Sequence, residues 1–197
     1  MFDIALVIFA YLVGSVSSAI VVCRVLKLGD PRQGGSGNPG ATNVLRLAGK
    51  GPAAITLVGD WVKGTLPVAL AWLVTRDPVV AAASGLAAFF GHLFPVFFRF
   101  QGGKGVATGL GVILAWSPMA LAATAVTWLA IAGAFRYSSL AAVVAFAMAP
   151  IYVLWLADSP VLTAATALLT VAIIWRHREN IVRLATGEEN QIGSSDS

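Results

Sequence analysis

The sequence has little charge and almost no cysteine. Asp, Glu, Lys and Arg make up 11% of its 197 residues, whereas soluble domains average about 25%. Hydrophobic residues make up 58%, and the mean hydropathy is +0.83, which excludes a soluble enzyme, a disordered protein and a nucleic-acid-binding module. The single cysteine, Cys23, excludes an internal disulfide and a cysteine-based metal site. The composition predicts a polytopic membrane protein.

Seven apolar runs are candidates for membrane-spanning helices, which need roughly 20 residues and about 17 at the short end. They are residues 2–22, 53–74, 79–98, 106–116, 119–135, 139–156 and 161–175, and Pro-, Gly- or Arg-containing breakers separate them. The short run at 106–116 is either a tilted span or half of a re-entrant pair with the next run. We expect a span, because the charge pattern is then consistent along the whole chain. The prediction is an all-α bundle of seven transmembrane helices.

The basic residues predict the orientation, because cytoplasmic loops carry an excess of Lys and Arg. With the N-terminus outside and seven crossings, 11 of the 13 basic residues lie in inside segments, Arg76 lies outside and Lys63 lies within a span. No basic residue precedes the first run, unlike in a cleaved signal peptide. We expect the N-terminus outside, the C-terminus in the cytoplasm, one transmembrane domain over residues 1–189 and a disordered tail over residues 190–197.

Three polar segments lie on the predicted cytoplasmic face. The first segment, residues 34–46, is glycine-rich, so its backbone N–H groups can converge on an anion. Ser36 adds a hydroxyl, and Arg46 adds a planar guanidinium suited to phosphate. The other candidate binding residues are Gly35, Gly37, Asn38, Thr42 and Asn43. A flexible connector is the alternative, but the interleaved Asn and Thr residues favour an anion site.

The second segment, residues 91–108, places Lys104 among glycines just before an apolar helix. Backbone donors at a helix N-terminus together with an ammonium group can hold a phosphate. Phe98 and Gly105 depart from the Walker pattern. The candidate binding residues are Gly102, Gly103, Gly105 and Thr108, and His92 is a supporting candidate. A tight turn with a snorkelling lysine is an equal alternative from the spacing alone.

The third segment, residues 176–189, follows the last run. His177 and Asn180 would share a face of a continuing helix, although the neighbouring arginines also suit a juxtamembrane helix that holds anionic lipid headgroups.

Asp60 and Lys63 lie inside the second run, where a charge costs roughly 2.5–3.5 kcal/mol. Three residues apart, they can pair, either as a purely structural ion pair or as the lining of a pocket.

The polar residues supply hydrogen-bond donors and positive charge but no evident covalent nucleophile. There is no His-x4-Asp dyad, no Ser-x-x-Lys and no nucleophile elbow around Ser36. Such groups suit the stabilisation of phosphates and of a developing oxyanion. An anion transporter and a membrane scaffold are the competing hypotheses. Transport sites lie near the bilayer midplane, where only Asp60 and Lys63 are charged.

The three segments, together with Asp-Trp-Val-Lys-Gly at residues 60–64, resemble the signature motifs of the bacterial acyl-phosphate:glycerol-3-phosphate acyltransferase family. The resemblance covers the whole chain. It implies transfer of a fatty acyl group from acyl phosphate to the 1-hydroxyl of glycerol 3-phosphate, giving lysophosphatidic acid and phosphate in the first membrane step of phospholipid synthesis. It also implies the bacterial inner membrane, an active site on the cytoplasmic face, and no cofactor or metal. Membrane lipid and the soluble enzyme that makes acyl phosphate are the further partners it suggests.

The resemblance places glycerol-3-phosphate binding in the second segment and essential polar residues in the first and third. It suggests that Glu188 supports the third segment by pairing with an arginine. Asp60, Lys63 and His92 are the other supporting candidates, and the candidate catalytic residues are Ser36, Arg46, Lys104, His177 and Asn180.

We expect Lys104 and its glycines to hold one phosphate, and Arg46 and Ser36 to hold the other phosphate and the carbonyl oxygen. His177 and Asn180 would orient the attacking hydroxyl. The proton acceptor is His177 or the donor's own phosphate, and we favour the phosphate. Because acyl phosphate is already activated, orientation is the main requirement, and well-oriented reactants can recover about 7–11 kcal/mol.

Overall fold

The computed structural model describes residues 2–193, and the chain divides into two compact units, Met1–Trp116 and Ser117–Ser197. The first unit contains α1 (Phe2–Gly14), α2 (Ser18–Val25), α3 (Ala41–Ala48), α4 (Lys50–Thr75), α5 (Pro78–Leu93) and α6 (Val106–Trp116). Its loops include two single turns of 3-10 helix, Pro31–Gln33 and Val96–Phe98. The second unit contains α7 (Pro118–Phe135), α8 (Ser138–Ala157), α9 (Pro160–Arg176) and α10 (Arg178–Thr186). Regular structure in the described residues is therefore all-helical, as the composition predicts.

Four helical stretches in the described residues are long and apolar enough to cross a membrane, and the number rises to six if two bent pairs each form one span. The four are α4, α5 continued to Phe98, α7 and α8; the bent pairs are α1 with α2 and α9 with α10. Helix α6 has 11 residues, about 16 Å at about 1.5 Å per residue. That is shorter than a hydrocarbon core of about 30 Å. Each of the seven apolar runs is mostly helical, while seven complete spans stay a prediction.

The first apolar run is not one straight helix. Helix α1 ends at Gly14, α2 begins at Ser18, and their axes differ by 45°. In the break, the carbonyl of Val16 accepts a hydrogen bond of 2.8 Å from Nζ of Lys63 on α4. The run over residues 2–22, for which the sequence predicts one helix, therefore forms two, because an apolar helix can break where another side chain satisfies the exposed backbone.

The predicted breakers act as helix caps. Asp77, Ser117 and Ser159 accept hydrogen bonds from backbone N–H groups at the starts of α5, α7 and α9, at 2.7, 3.2 and 3.4 Å. A proline follows each cap at the start of the helix, where its missing N–H has no intrahelical partner to lose. This Asp/Ser-Pro pattern explains why the helix boundaries lie close to those that the sequence predicts.

Glycines allow the helices of the first unit to approach closely. Gly14 of α1 lies against the backbone of Ala88 in α5, and Gly64 of α4 lies against the backbone of Thr108 in α6. A Cβ at either glycine would overlap these backbone atoms. Small residues at such crossings are typical of helix packing in lipid, where close van der Waals contact drives association. The packing fixes the ends of α4, α5 and α6, from which the polar loops extend.

In the second unit, α8 packs against both α7 and α9, and α10 contacts α8 and α9. Thr170 of α9 donates to the carbonyl of Phe146 in α8 at 2.7 Å. After α10 the chain returns to the start of α8, where the backbone N–H of Ile192 donates to the carbonyl of Arg136 at 2.7 Å. Residues 190–193 of the predicted disordered tail include this contact, and residues 194–197 lie outside the described residues.

Candidate active site

The first segment is shaped by Asn43, which is 1% exposed in the first turn of α3. Its Oδ1 accepts from the backbone N–H of Ser36 at 2.9 Å, and its Nδ2 donates to the carbonyls of Pro31 and Gly34 at 2.8 and 3.1 Å. Gly35 has a φ of 57°, and a Cβ there would overlap Oδ1 of Asn43. Glycine is therefore required at this position both by the left-handed backbone and by the space that the amide occupies.

The other polar side chains of the first segment face outward. Ser36, Thr42 and Arg46 are exposed, and Asn38 is half-buried. Thr42 and Arg46 are four residues apart on α3, so they share one face of that helix. The hydroxyls and the guanidinium that the sequence assigns to ligand binding are thus accessible, whereas the Asn43 amide is used to hold the loop.

Arg32 is not among the site residues that the sequence predicts, but it joins the turn directly before the first segment to the second segment. Its guanidinium pairs with Asp30 at 2.6 Å and also reaches the carbonyl of Phe98 at 3.5 Å and Oε1 of Gln101 at 3.4 Å. The hydrogen bonds from Arg32 hold the pKa of Asp30 below its ordinary value, and Asp30 raises the pKa of Arg32. The sequence Asp-Pro at residues 30–31 is typical of a turn, and Asp30 does cap the turn Pro31–Gln33 that contains Arg32. This pattern is the sequence signal that could have drawn attention to Arg32.

The second segment folds back onto the end of α5. The backbone N–H of Gly103 donates to the carbonyl of His92 at 3.2 Å, and a Cβ at Gly103 would overlap the His92 ring. Gly105 has a φ of 87° and lies against Phe89. Gly102, Gly103 and Gly105 are buried, Lys104 is half-buried, and Thr108 is fully buried in α6. The glycines are needed for close packing, which places Lys104 directly before the N-terminus of α6.

Asp60 and Lys63 form an ion pair of 2.8 Å in α4, with side chains 3% and 6% exposed. Nδ1 of His92 lies 3.6 Å from the same carboxylate oxygen. The pair thus connects the α1–α2 break, through Lys63 and Val16, with the histidine that underlies the second segment. The sequence left open whether Asp60 and Lys63 form a purely structural ion pair or line a pocket. These contacts fit a structural ion pair.

In the second unit, His177 lies where α9 ends and α10 begins, at a bend of 54°. His177 is 4% exposed, and its Nδ1 lies 2.8 Å from the carbonyl of Ile173. A carbonyl only accepts, so Nδ1 is the donor in this hydrogen bond. Asn180 is also buried, in the first turn of α10. The two residues are separated by the bend and do not lie on one continuing helix.

The carboxylate that supports the third segment is that of Glu189, and the expectation for Glu188 needs correction. Glu189 accepts from Nδ2 of Asn180 at 2.6 Å, from Nε of Arg183 at 2.8 Å and from Oγ of Ser139 at 2.7 Å. Burial raises the pKa of Glu189, but these hydrogen bonds and the charge of Arg183 hold it below its ordinary value. Glu188 is exposed.

The chain direction after α10 explains this difference. Gly187 ends α10 with a φ of 77°, and the backbone N–H of Glu188 donates to the carbonyl of Arg183 at 2.8 Å. This turn brings the second glutamate back onto α10. Two adjacent glutamates carry no sequence signal that distinguishes the inward one from the outward one.

The first and second segments thus lie in one unit, where Arg32, two residues before the first segment, contacts the second. The third segment lies in the other unit. The joint use of all three by one ligand stays a prediction. Among residues 2–193, no group of three or more His, Cys, Asp or Glu side chains could hold a metal ion.

Helices of membrane-spanning length that carry two glycine-rich loops with basic residues define an integral membrane protein. Residues 4–187 match the family model described as glycerol-3-phosphate acyltransferase. The chain belongs to this family, whose members act in phospholipid biosynthesis, and the resemblance seen in the sequence is confirmed.

Relatives and solved structures agree with this assignment. The glycerol-3-phosphate acyltransferase of Halorhodospira halophila is 83% identical over 100% of both chains. That of Hydrogenovibrio crunogenus is 54% identical over 95% of this chain and 92% of its own. Crystal structures of PlsY (YgiH), an integral membrane glycerol 3-phosphate acyltransferase, are similar in the glycerol 3-phosphate form (41% identity, TM-score 0.93) and the lysophosphatidic acid form (40%, 0.91). Each alignment covers 98% of this chain and 96% of the solved one.

Proposed function

We propose that this protein transfers a fatty acyl group from acyl phosphate to the 1-hydroxyl of glycerol 3-phosphate. The hydroxyl oxygen forms a bond to the acyl carbon, the bond from that carbon to the phosphate oxygen breaks, and the hydroxyl proton leaves with the phosphate. The products are lysophosphatidic acid and inorganic phosphate. The names of the similar solved structures, one in a glycerol 3-phosphate form and one in a lysophosphatidic acid form, support the acceptor and the product.

The observation that carries the proposal is the connection between two cation-bearing loops in the first unit. Arg32, in the turn directly before the first segment, donates to the carbonyl of Phe98 and to Oε1 of Gln101 in the second segment. The loops carry the exposed Arg46 and the half-buried Lys104. Both substrates carry a phosphate, so the reaction requires two anions to be held near each other against their mutual repulsion. Two preorganised cationic loops meet this requirement.

We propose the residue roles that the sequence suggests. Lys104 and the neighbouring backbone would hold one phosphate, while Arg46 and the Ser36 hydroxyl would hold the other phosphate and the carbonyl oxygen. His177 and Asn180 would orient the attacking hydroxyl. The donor's phosphate is the proton acceptor that we favour, because it leaves with a negative charge that the cations already stabilise.

We further propose seven spans with the N-terminus outside and the C-terminus in the cytoplasm of a bacterium, in the inner membrane. The asymmetry of the basic residues supports this orientation, because all but two of the 13 then lie on the cytoplasmic side. The active site would face the cytoplasm, where soluble glycerol 3-phosphate and the enzyme that supplies acyl phosphate are available.

The test is to supply glycerol 3-phosphate to the purified protein with acyl phosphate, acyl-CoA or acyl carrier protein in parallel. We expect lysophosphatidic acid only when acyl phosphate is the donor. Lys104→Ala should lower kcat/KM by about 10²–10³-fold, because the substitution removes a preorganised positive charge. Lys50→Ala, at an exposed lysine at the start of α4, is the control and should retain activity. Comparable product from acyl-CoA would contradict the donor, and glycerol 3-phosphate flux without product would favour a transporter.

A further inference from the structure

A basic cleft in the first unit contains Arg32, which contacts the second segment, and two further arginines that the reaction proposed above does not use. It has a volume of about 430 Å³ and is lined by Arg24, Arg32, Phe97, Phe98, Arg99 and Gln101. Three guanidinium groups reach it from three separate elements: the last turn of α2, the turn Pro31–Gln33 and the residue that follows the turn Val96–Phe98. Guanidinium groups that converge in this way are typical of phosphate recognition.

The positive charge of the cleft is only partly neutralised within the fold. Asp30 pairs with Arg32 at 2.6 Å. Arg24 and Arg99 have no carboxylate within ion-pair distance in the part of the chain that the structure describes. The cleft therefore keeps a net positive charge that an external anion could balance.

The backbone beside the cleft is strained. Arg99 and Phe100 are consecutive non-glycine residues in the left-handed region, with φ of 56° and 59°. Left-handed backbone is unfavourable for residues with a Cβ, and strained residues cluster where a ligand or a partner is held. The carbonyl of Pro95 accepts from the N–H groups of both Phe98 and Phe100, and this turn places Arg99 at the cleft.

The cleft also lies where two candidate spans end. One candidate span ends at Phe98, and the bent span formed by α1 and α2 ends at Val25, next to Arg24. The side chains of Phe97 and Phe100 are each 58% exposed. Aromatic rings flanking basic groups are typical of the interface between the headgroups and the acyl chains.

The geometry points to a binding site for the phosphate of an anionic phospholipid headgroup. Arg24 and Arg99 hold the phosphate, and Phe97 and Phe100 lie among the upper acyl segments of the same lipid layer. The exposed aromatic residues favour a lipid over a free phosphate ion, because rings in contact with water would gain nothing from a soluble anion. The inference concerns lipid binding and does not depend on the acyl transfer proposed above.

The test measures which lipid the full chain retains. The protein is reconstituted in nanodiscs with equal parts of phosphatidylglycerol and phosphatidylcholine, released into a mild detergent and analysed by native mass spectrometry. The wild type should retain phosphatidylglycerol in preference. Arg24→Gln/Arg99→Gln should lower this preference by about fivefold for each arginine removed. Lys50→Gln/Arg76→Gln removes the same charge from exposed positions outside the cleft and should leave it unchanged.

Two further measurements separate the remaining explanations. Arg99→Gly relieves the left-handed backbone while removing the charge, so we expect weaker lipid retention without a loss of thermal stability. Retention equal to wild type in this variant would overturn the site. An equal fall in both double variants would indicate general surface charge and would also overturn it. Displacement of phosphatidylglycerol by millimolar inorganic phosphate would identify a free anion as the occupant and would refute the lipid assignment.

Discussion

Asn43 and Glu189 use their polar atoms within the fold, whereas Ser36 and Arg46 keep theirs accessible. The Asn43 amide makes three hydrogen bonds around the first segment, and the Glu189 carboxylate accepts from three donors around the third. Side chains that are committed in this way cannot also bind a ligand without loosening the loop. At the residue scale, the polar groups therefore divide into those that shape a segment and those that a substrate can reach.

Replacing Asn43 should disorder the first segment. Asn43→Ala leaves the Ser36 N–H and the Pro31 and Gly34 carbonyls without this partner, which should lower the free energy of unfolding by about 1–3 kcal/mol. Misplacement of the loop should lower kcat/KM by about 10²-fold. Thermal unfolding in detergent and the acyl-transfer assay measure the two effects. Gln33→Ala, at an exposed position in the neighbouring turn, is the control, and equal losses in both variants would contradict the role of Asn43.

The two adjacent glutamates should respond differently to substitution. Glu189→Gln removes a buried carboxylate that accepts three hydrogen bonds, so it should destabilise the protein at pH 7 by about 1.5–3 kcal/mol, the range for bonds to a charged group. Glu188→Gln alters an exposed side chain and should have little effect. Urea unfolding measures both. A larger loss for Glu188→Gln would restore the original expectation from the sequence.

The effect of Glu189 should also depend on pH. The folded protein holds the pKa of Glu189 below its ordinary value, so between the two pKa values the unfolded state binds more protons. Its contribution is therefore complete above the ordinary pKa of about 4.3 and is lost as the pH falls through the folded pKa. The stability difference between wild type and Glu189→Gln should shrink below this pH. A difference that stays constant down to the acid transition would contradict this assignment.

At the scale of the helices, the α1–α2 break depends on a charged residue of a third helix. Nζ of Lys63 bonds both the carbonyl of Val16 and the carboxylate of Asp60. This one ammonium group therefore stabilises a bend in one span and neutralises a charge in another. The arrangement explains why two charges can persist in an apolar stretch despite their cost there.

Removing one member of this pair should cost more than removing both. Lys63→Met leaves a buried carboxylate without its main counter-charge, and such a loss costs about 3–5 kcal/mol. In Asp60→Asn/Lys63→Met no buried charge remains, so part of the stability should return. Thermal unfolding of the single and double variants in detergent measures the difference. If the double variant is no more stable than Lys63→Met alone, the pair is not held together by charge neutralisation.

At the scale of the whole molecule, the basic residues are unevenly distributed between the predicted loops. With the N-terminus outside, nearly all of them lie on the cytoplasmic side. Arg76 is the single basic residue in a predicted outside loop. The cost of translocating Lys and Arg disfavours the reverse orientation. Charge placed at the helix ends thus predicts the direction in which the helices cross.

Cysteine labelling in cells tests this orientation. Wild-type Cys23 is buried and should not react with a membrane-impermeant maleimide. Arg76→Cys should be labelled in intact spheroplasts, because the loop is expected outside, whereas Lys50→Cys should be labelled only after permeabilisation. Labelling of Lys50→Cys in intact spheroplasts would invert the topology.

Most helix boundaries could be predicted from the sequence, because caps such as Asp77-Pro78 and Ser117-Pro118 act on the next three residues. The break after Gly14 could not, since it depends on Lys63, which is 47 residues from Val16 along the chain. The outward groups Ser36 and Arg46 were also identifiable from residue type. Arg32 was missed, because its partners Phe98 and Gln101 lie 66 and 69 residues away.

The sequence by itself determined the membrane class, the helices and the chemical groups available for two phosphates, because hydrophobic length, capping and charge are local properties. Only the tertiary structure decided that Asn43 and Glu189 hold their loops, that Glu188 stays outside, and that Lys63 supports a break in another helix. These roles depend on which backbone atoms a side chain meets when distant parts of the chain pack together. Such long-range contacts cannot be predicted from the residues next to each position in the sequence.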